Sequence, residues 1–360
     1  SMVEVDSSLY ETKKAILTRP LQIGEFSSHA DFNTTPGTLN LRRLIHLEKD
    51  IKPSFNLNDG FSNYVKKEPS LYSNDTRQLQ DWAIADRRNY DCENFFEFFR
   101  EAEIVCGRSV LTNIAKTPYH ERDAWRIVAI RRDGVIYLHD CGTVDGRNYA
   151  TKDDKHAHQT YYGHKFHRLM TKSIRGDQDG NKIVDCRETF HAVFRSEFIL
   201  DDTSRINLTY SAEIKAVDEN GVFVDFKTHP LYYPTRYNYP TRYNRKKSYL
   251  EGNAWMQTRG HQWWLQAHLV GVNRIFVGFK DDDGKVNRIT TAHRVELQKR
   301  NTVECDVVMN FLSTVLSEVK KRCEDSLQIR YSPTDKQVYF EEATKDINFL
   351  IPEFVDYNSD

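Results

Sequence analysis

The hydrophobic period of this chain changes along its length, and that change limits what it can fold into. From about residue 76 to 116 the pattern is helical: Asp75-Thr76 can cap, and Leu79, Trp82 and Ala83 begin an apolar face. Phe95, Phe96, Phe98 and Phe99 then predict a buried second helix. Beyond Trp125 the apolar residues fall into short runs between turn signals. Residues 125–130 and 135–138 flank Asp133-Gly134, residues 207–214 and 222–226 flank Asn220-Gly221, and a run at 273–279 precedes Asp283-Gly284. Each predicts a hairpin, because such turns readily supply positive φ. Residues 255–270 predict a helix carrying Trp263 and Trp264. Residues 301–324 predict a longer one, with Val308, Phe311, Leu312, Val315 and Val319 at helical spacing. The expected class is α/β, with mixed and antiparallel sheets flanked by helices.

Residues 3–75 carry Pro20, Pro36, Gly37, Pro53, Gly60 and Pro69, which break any long period. Loops and short strands are expected there, wrapping a core formed by 76–360. No composition shift marks a linker, so one domain is expected. Ser1-Met2 reads as an expression remnant and is set aside. No apolar run approaches the roughly 18 residues of a membrane span. No secretory leader is recognisable, so the six scattered cysteines, none at CxxC spacing, are expected to be reduced thiols of an intracellular protein. The net charge is −1, so a nucleic-acid partner would need a local basic surface.

Asp225 and Lys227 share one strand face, because strand side chains alternate. A hairpin through Asn220-Gly221 would bring Glu213 alongside them. An acid facing a D-x-K pair suits metal-dependent phosphodiester hydrolysis: carboxylates hold Mg²⁺ or Mn²⁺, the metal activates water, and lysine balances developing charge. By spacing alone, a solvated strand face with ordinary surface charges fits as well.

Further motifs add weight. They include Arg19-Pro20 with Gly24 and Phe26; Phe55-Asn56-Leu57 with Asp59-Gly60; Gly107-Arg108, then Thr117-Pro118-Tyr119 and Trp125. They continue with Gly163-His164-Lys165-Phe166-His167, Glu213-Ile214-Lys215, Asp225-Phe226-Lys227, Trp263-Trp264-Leu265-Gln266 and Leu350-Ile351-Pro352. In order and spacing this series resembles the decapping exoribonuclease (DXO-type) family over nearly the whole chain. The resemblance implies a nuclease-like core with a D/E-x-K motif and action on RNA 5′ ends: removal of incomplete or non-standard caps, hydrolysis of 5′ triphosphates, or 5′-to-3′ degradation. It implies two divalent metals held by four carboxylates. It also implies Arg108, Lys227 and Gln266 lining the nucleotide site, and in some members a nuclear exoribonuclease as protein partner.

The chain departs from that pattern. The family's glutamate in G-x-K-F-E is His167, the aspartate of E-x-D is Lys215, and the glutamate of E-x-K is Asp225. Glu213 and Asp225 remain as metal ligands. A unit charge pair at about 4 Å is worth roughly 4 kcal/mol at an effective dielectric of 20, so a lysine in the acidic cluster can stand in for a metal's charge. His167 suits a transition metal better than Mg²⁺. The expectation is a diverged, catalytically inactive member, as in insect Cutoff-type paralogues, with no cofactor. Mg²⁺ or Mn²⁺ would be needed only by the rival, an active RNA 5′-end hydrolase. A third reading is a protein-recruiting scaffold with a vestigial pocket.

Two other features were weighed. His156, His158, His164 and His167 form a histidine-rich stretch, with His164 and His167 on one helix face. It is read as solvated rather than as a zinc site. Residues 232–249 carry Arg236, Arg242, Arg245, Lys246 and Lys247 interleaved with six tyrosines, and duplicate the run Pro-Thr-Arg-Tyr-Asn at 234–238 and 240–244. Cations neutralise phosphates and rings stack on bases, so this loop is a candidate RNA contact, against the plainer reading of a solvated loop. The expected partner is RNA, the expected setting nucleus or cytoplasm, and no membrane is involved.

Overall fold

A computed structural model describes residues 2–12, 15–31, 33–45, 52–66, 75–142, 154–175, 183–234 and 246–357. Two mixed sheets carry the fold. The larger runs in the spatial order Met2–Glu4, Gln337–Glu341, Ser326–Ser332, Trp125–Arg132, Val135–Asp140, Ile104–Gly107, Arg205–Glu213, Thr189–Ile199, Leu21–Ser28, Thr34–Pro36, and Ile16–Leu17 also pairs with Thr189–Ile199. The smaller runs Thr171–Ser173, Arg42–Leu44, Ala216–Val217, Phe223–Pro230, Arg274–Lys280, Lys285–His293, Phe55–Asn56. Helices flank both, as the mixture of periods predicts. No helix among the described residues is long and apolar enough to cross a membrane.

Local signals hold where the contacts they need are local. Trp125–Arg132 and Val135–Asp140 form the expected hairpin, with Asp133 and Gly134 both at positive φ. Arg274–Lys280 and Lys285–His293 form another. The helix Thr302–Arg322 buries Val308, Phe311, Leu312, Val315 and Val319, all at 0% exposure, against the same core as Trp255, Trp263 and Trp264.

Four expectations need correction. The stretch 76–116 is not continuously helical, because Ile104–Gly107 is a strand. It lies between two parallel neighbours with all four residues buried, and such a strand has no alternation to distinguish it from buried helix. The 255–270 helix splits into Trp255–Thr258 and Gly260–His268. Asn301, whose amide donates to the Met256 and Leu297 carbonyls, packs so closely on Gly260 that a Cβ there would lie 3.0 Å from Asn301 Cγ. The N-terminal segment threads the sheets rather than wrapping them: Leu21–Ser28 lies between two strands of the larger sheet, and even Met2 pairs with Tyr339. Lastly, residues 207–214 and 222–226 are not partners. Arg205–Glu213 belongs to the larger sheet and Phe223–Pro230 to the smaller.

A separate cluster of Leu57, Phe166, Met170, Val224, Phe226 and Val286 seats the helix Asp154–Met170 on the smaller sheet. Phe166 lies on the bare backbone of Gly278, where a Cβ would come within 2.7 Å of its ring. Burying such a ring is worth about 2–3 kcal/mol. It also fixes which face of the helix turns toward Glu213.

Candidate functional site

The chain changes sheets just after Glu213. The Ile214 N–H donates to the Phe190 carbonyl at 2.9 Å in the larger sheet, and Ala216–Val217 then begins the smaller one. Asn220-Gly221 does make the tight turn its sequence predicts, with Gly221 at φ 75° and the Asp218 carboxylate accepting from the Asn220 and Val222 N–H groups. That turn joins Ala216–Val217 to Phe223–Pro230, whose pairs are Ala216 with Val224 and Val217 with Phe223. Glu213 and the D-x-K motif therefore meet across a change of sheet, not across one hairpin. They still converge, since Lys215 feels both Glu213 and Asp225.

The side where carboxylates were expected is internally paired. Lys215 Nζ lies 2.8 Å from Glu213 Oε2. Burial alone would raise the Glu213 pKa, but the Lys215 ammonium, then His191, hold it far below the usual carboxylate range. Burial opposes the Lys215 charge, yet Glu213 holds its pKa above the ordinary lysine value. His167 Nε2 lies 2.7 Å from the Lys215 carbonyl. A carbonyl only accepts, so Nε2 carries the proton and donates. Burial, then Lys215, holds the His167 pKa well below the ordinary imidazole value, so the ring is neutral. His164, on the same helix face, is pushed down to about 4 by the same two causes. A cavity of about 40 Å³ remains among these groups.

The other side is cationic. Lys227 Nζ donates to Gln266 Oε1 at 2.6 Å and lies 3.5 Å from Asp225 Oδ2. Arg108, first residue of the helix Arg108–Ala115, donates to the Gln266 carbonyl at 3.3 Å. Burial lowers the Lys227 pKa against the pull of Asp225, and Arg108 and Lys215 lower it further. Arg108, Lys215 and Lys227 thus face Glu213 and Asp225, while the other two carboxylates lining the small cavity are held elsewhere, Asp185 by Arg187 and Glu188 by His29 and Asn40. Such a site favours an anion over a cation.

Two residues of the site escaped sequence reasoning. His191 is the cross-strand neighbour of Glu213, and Cys186 lines the small cavity, its thiol pushed up to about 11 by burial. Strand register places His191 and the turn before Thr189–Ile199 places Cys186, contacts with no sequence signal because each residue comes more than twenty residues before Glu213. Arg236, Arg242 and Arg245 lie outside the described residues. At the base of their loop Tyr232 bridges Ser248, Tyr233 stacks on Tyr249 at 3.9 Å, and Lys247 lies 4.8 Å over the Tyr233 ring.

A family model described as RAI1 like PD-(D/E)XK nuclease matches residues 18–355. The chain belongs to this family. Asp225-Phe226-Lys227 is its own D-x-K. Among relatives of the RAI1-like nucleases, the decapping nuclease dom-3 of Caenorhabditis elegans is 29% identical over 61% of this chain, which spans about half (53%) of that protein. The human decapping and exoribonuclease protein is 25% identical over 87% of this chain and 77% of its own length. Candida albicans Rai1, solved in complex with pU5 and Mn²⁺, shares the fold at a TM-score of 0.76 and 17% identity, covering 99% of this chain and 98% of that one. The donor set of this chain does not fit two divalent ions. Among the described residues no three His, Cys, Asp or Glu side chains converge to hold a metal. The Lys215 ammonium stands against Glu213, and a divalent ion would have to displace it.

Proposed function

We propose that this protein is a diverged RAI1-like nuclease that binds RNA 5′ ends without hydrolysing them. The observation that carries the reading is the 2.8 Å pair between Lys215 and Glu213. A resident cation neutralises the carboxylate that would otherwise hold a divalent ion, and metal entry would have to expel it. Mg²⁺ and Mn²⁺ sites rest on several hard oxygen ligands. Two carboxylates, one already paired with an ammonium, fall short of that. The surplus positive charge of Arg108, Lys215 and Lys227 supports recognition of a phosphorylated 5′ end, where arginine can grip phosphate oxygens in pairs. RNA bound in the Candida relative supports the same class of partner. Six free cysteines support a reducing compartment, nucleus or cytoplasm.

The test incubates the protein with 5′-triphosphate, unmethylated-cap and 5′-monophosphate RNAs in Mg²⁺ or Mn²⁺, scoring product and binding together. No product, with tighter binding of 5′-phosphorylated than 5′-hydroxyl RNA, is the expected result. Hydrolysis that Glu213→Gln abolishes would establish the active-hydrolase reading instead. One observation favours a scaffold as the second reading: side chains leave only about 40 Å³ beside Glu213. Equal, weak binding of all RNA ends would select it.

A further inference from the structure

The helix Asp154–Met170 has a second functional face. Tyr161, Lys165 and Leu169 recur at i, i+4 and lie away from His164 and His167. They line a cavity of about 250 Å³ with Ser54, Asn56, Asp59 and Asn63. Lys165 is 8% exposed, and among the described residues no hydrogen bond or ion pair reaches its ammonium. The ammonium lies at the cavity wall, 3.9 Å from where a Cβ on Gly60 would be. The stem of Lys165 is packed while its ammonium opens to the cavity with no counter-ion beside it among the described residues, an arrangement that suits an anion there.

The remaining wall groups say what the counter-ion carries. Asn56 Oδ1 already accepts from the Asn58 backbone N–H and side-chain amide, which leaves the Asn56 N–H groups to donate. Asp59 makes no ion pair with Lys165, and its carboxylate can accept hydroxyl protons. The cavity holds the volume of roughly eight waters, more than a bare oxyanion needs. We infer that Lys165 anchors a second binding site, for a small phosphate monoester whose sugar hydroxyls meet Asp59 and the asparagine amides. The site is separate from the Glu213 cluster and does not rest on the RNA-end reading.

Calorimetry on the full chain at matched ionic strength, with ribose 5-phosphate, inorganic phosphate, ribose and a 5′-phosphorylated oligoribonucleotide, tests this. Ribose 5-phosphate is expected to bind at least tenfold more tightly than inorganic phosphate or ribose. It should also protect Lys165 from amine-selective acylation read by mass spectrometry. Lys165→Met keeps the packed stem and is expected to lose at least tenfold in that affinity. If the oligoribonucleotide alone protects Lys165, the monoester is an RNA end, and the free sugar phosphate is overturned as ligand. Should Lys165→Met fold poorly, protection on the unaltered protein still decides. Unprotected Lys165 or unchanged affinity in Lys165→Met would each overturn the site. Equal affinity for inorganic phosphate would overturn recognition of the sugar.

Discussion

The two sides of the Glu213 cluster meet the same electrostatic demand in different ways. On one side Lys215 pairs with Glu213 at 2.8 Å, and the His167 imidazole is locked to the Lys215 carbonyl. On the other Lys227 bridges Asp225 and Gln266, beside Arg108. The second side keeps the D-x-K that gives the family its name. The first, on the function proposed above, sets a cation and a neutral imidazole where metal ligands would stand. Under that proposal, the comparison explains how the fold could be kept without a divalent ion. An ammonium satisfies a buried carboxylate as a metal ion does, so the strand ends stay in place without a divalent ion.

The strongest way to break this comparison is to make the two sides alike again. His167→Glu with Lys215→Asp is expected to raise Mn²⁺ affinity at least about 100-fold by calorimetry, with either change alone giving much less, because ligands act as a unit. A parent protein that already binds Mn²⁺ as tightly would remove the contrast. On the retained side, Lys227→Met or Arg108→Ala should weaken binding of 5′-phosphorylated RNA about 10- to 100-fold while leaving 5′-hydroxyl RNA nearly unaffected, the range expected for one charge-assisted contact. A uniform loss for both RNAs would assign these residues to the fold rather than to the phosphate.

Acid should act on the converted side. The folded-state pKa of His164 lies near 4, below its ordinary 6.5, so the unfolded chain takes up the proton first. Its contribution is complete above about pH 6.5 and is lost as pH falls toward 4, with roughly 1–2 kcal/mol gone by pH 5. Urea melts at pH 7 and 5 should show that loss, and His164→Gln should shrink it. An identical pH dependence in the variant would show that this ring is solvated. The smallest effect belongs to the loop. Changing Arg236, Arg242 and Arg245 together to Ala should weaken RNA binding several-fold and flatten the salt slope by roughly 2, as expected for three phosphate contacts to a single strand. An unaltered slope would remove the loop from the interface.

Much of this molecule was legible because its signals are local. The 125–140 hairpin rests on Asp133-Gly134, and the Thr302–Arg322 helix rests on its apolar stripe. The placement of Lys215 near Glu213 is likewise local, since the two are two residues apart in the chain. Sequence alone therefore determined the locally signalled elements, the family resemblance and the identity of the charges. It did not determine which strands pair. Ala216–Val217 is too short to carry a pattern, yet it moves the chain from one sheet to the other and separates Glu213 from the motif it was expected to face in one hairpin. His191 reaches Glu213 through register, and the break between the helices ending at Thr258 and beginning at Gly260 lies where Asn301 packs on Gly260. Periodicity records which face of an element is apolar, whereas sheet membership, register and close approach depend on contacts between residues far apart in the chain. Those contacts decided that the buried Lys165 opens into one cavity while His164 and His167, on the same helix, close another.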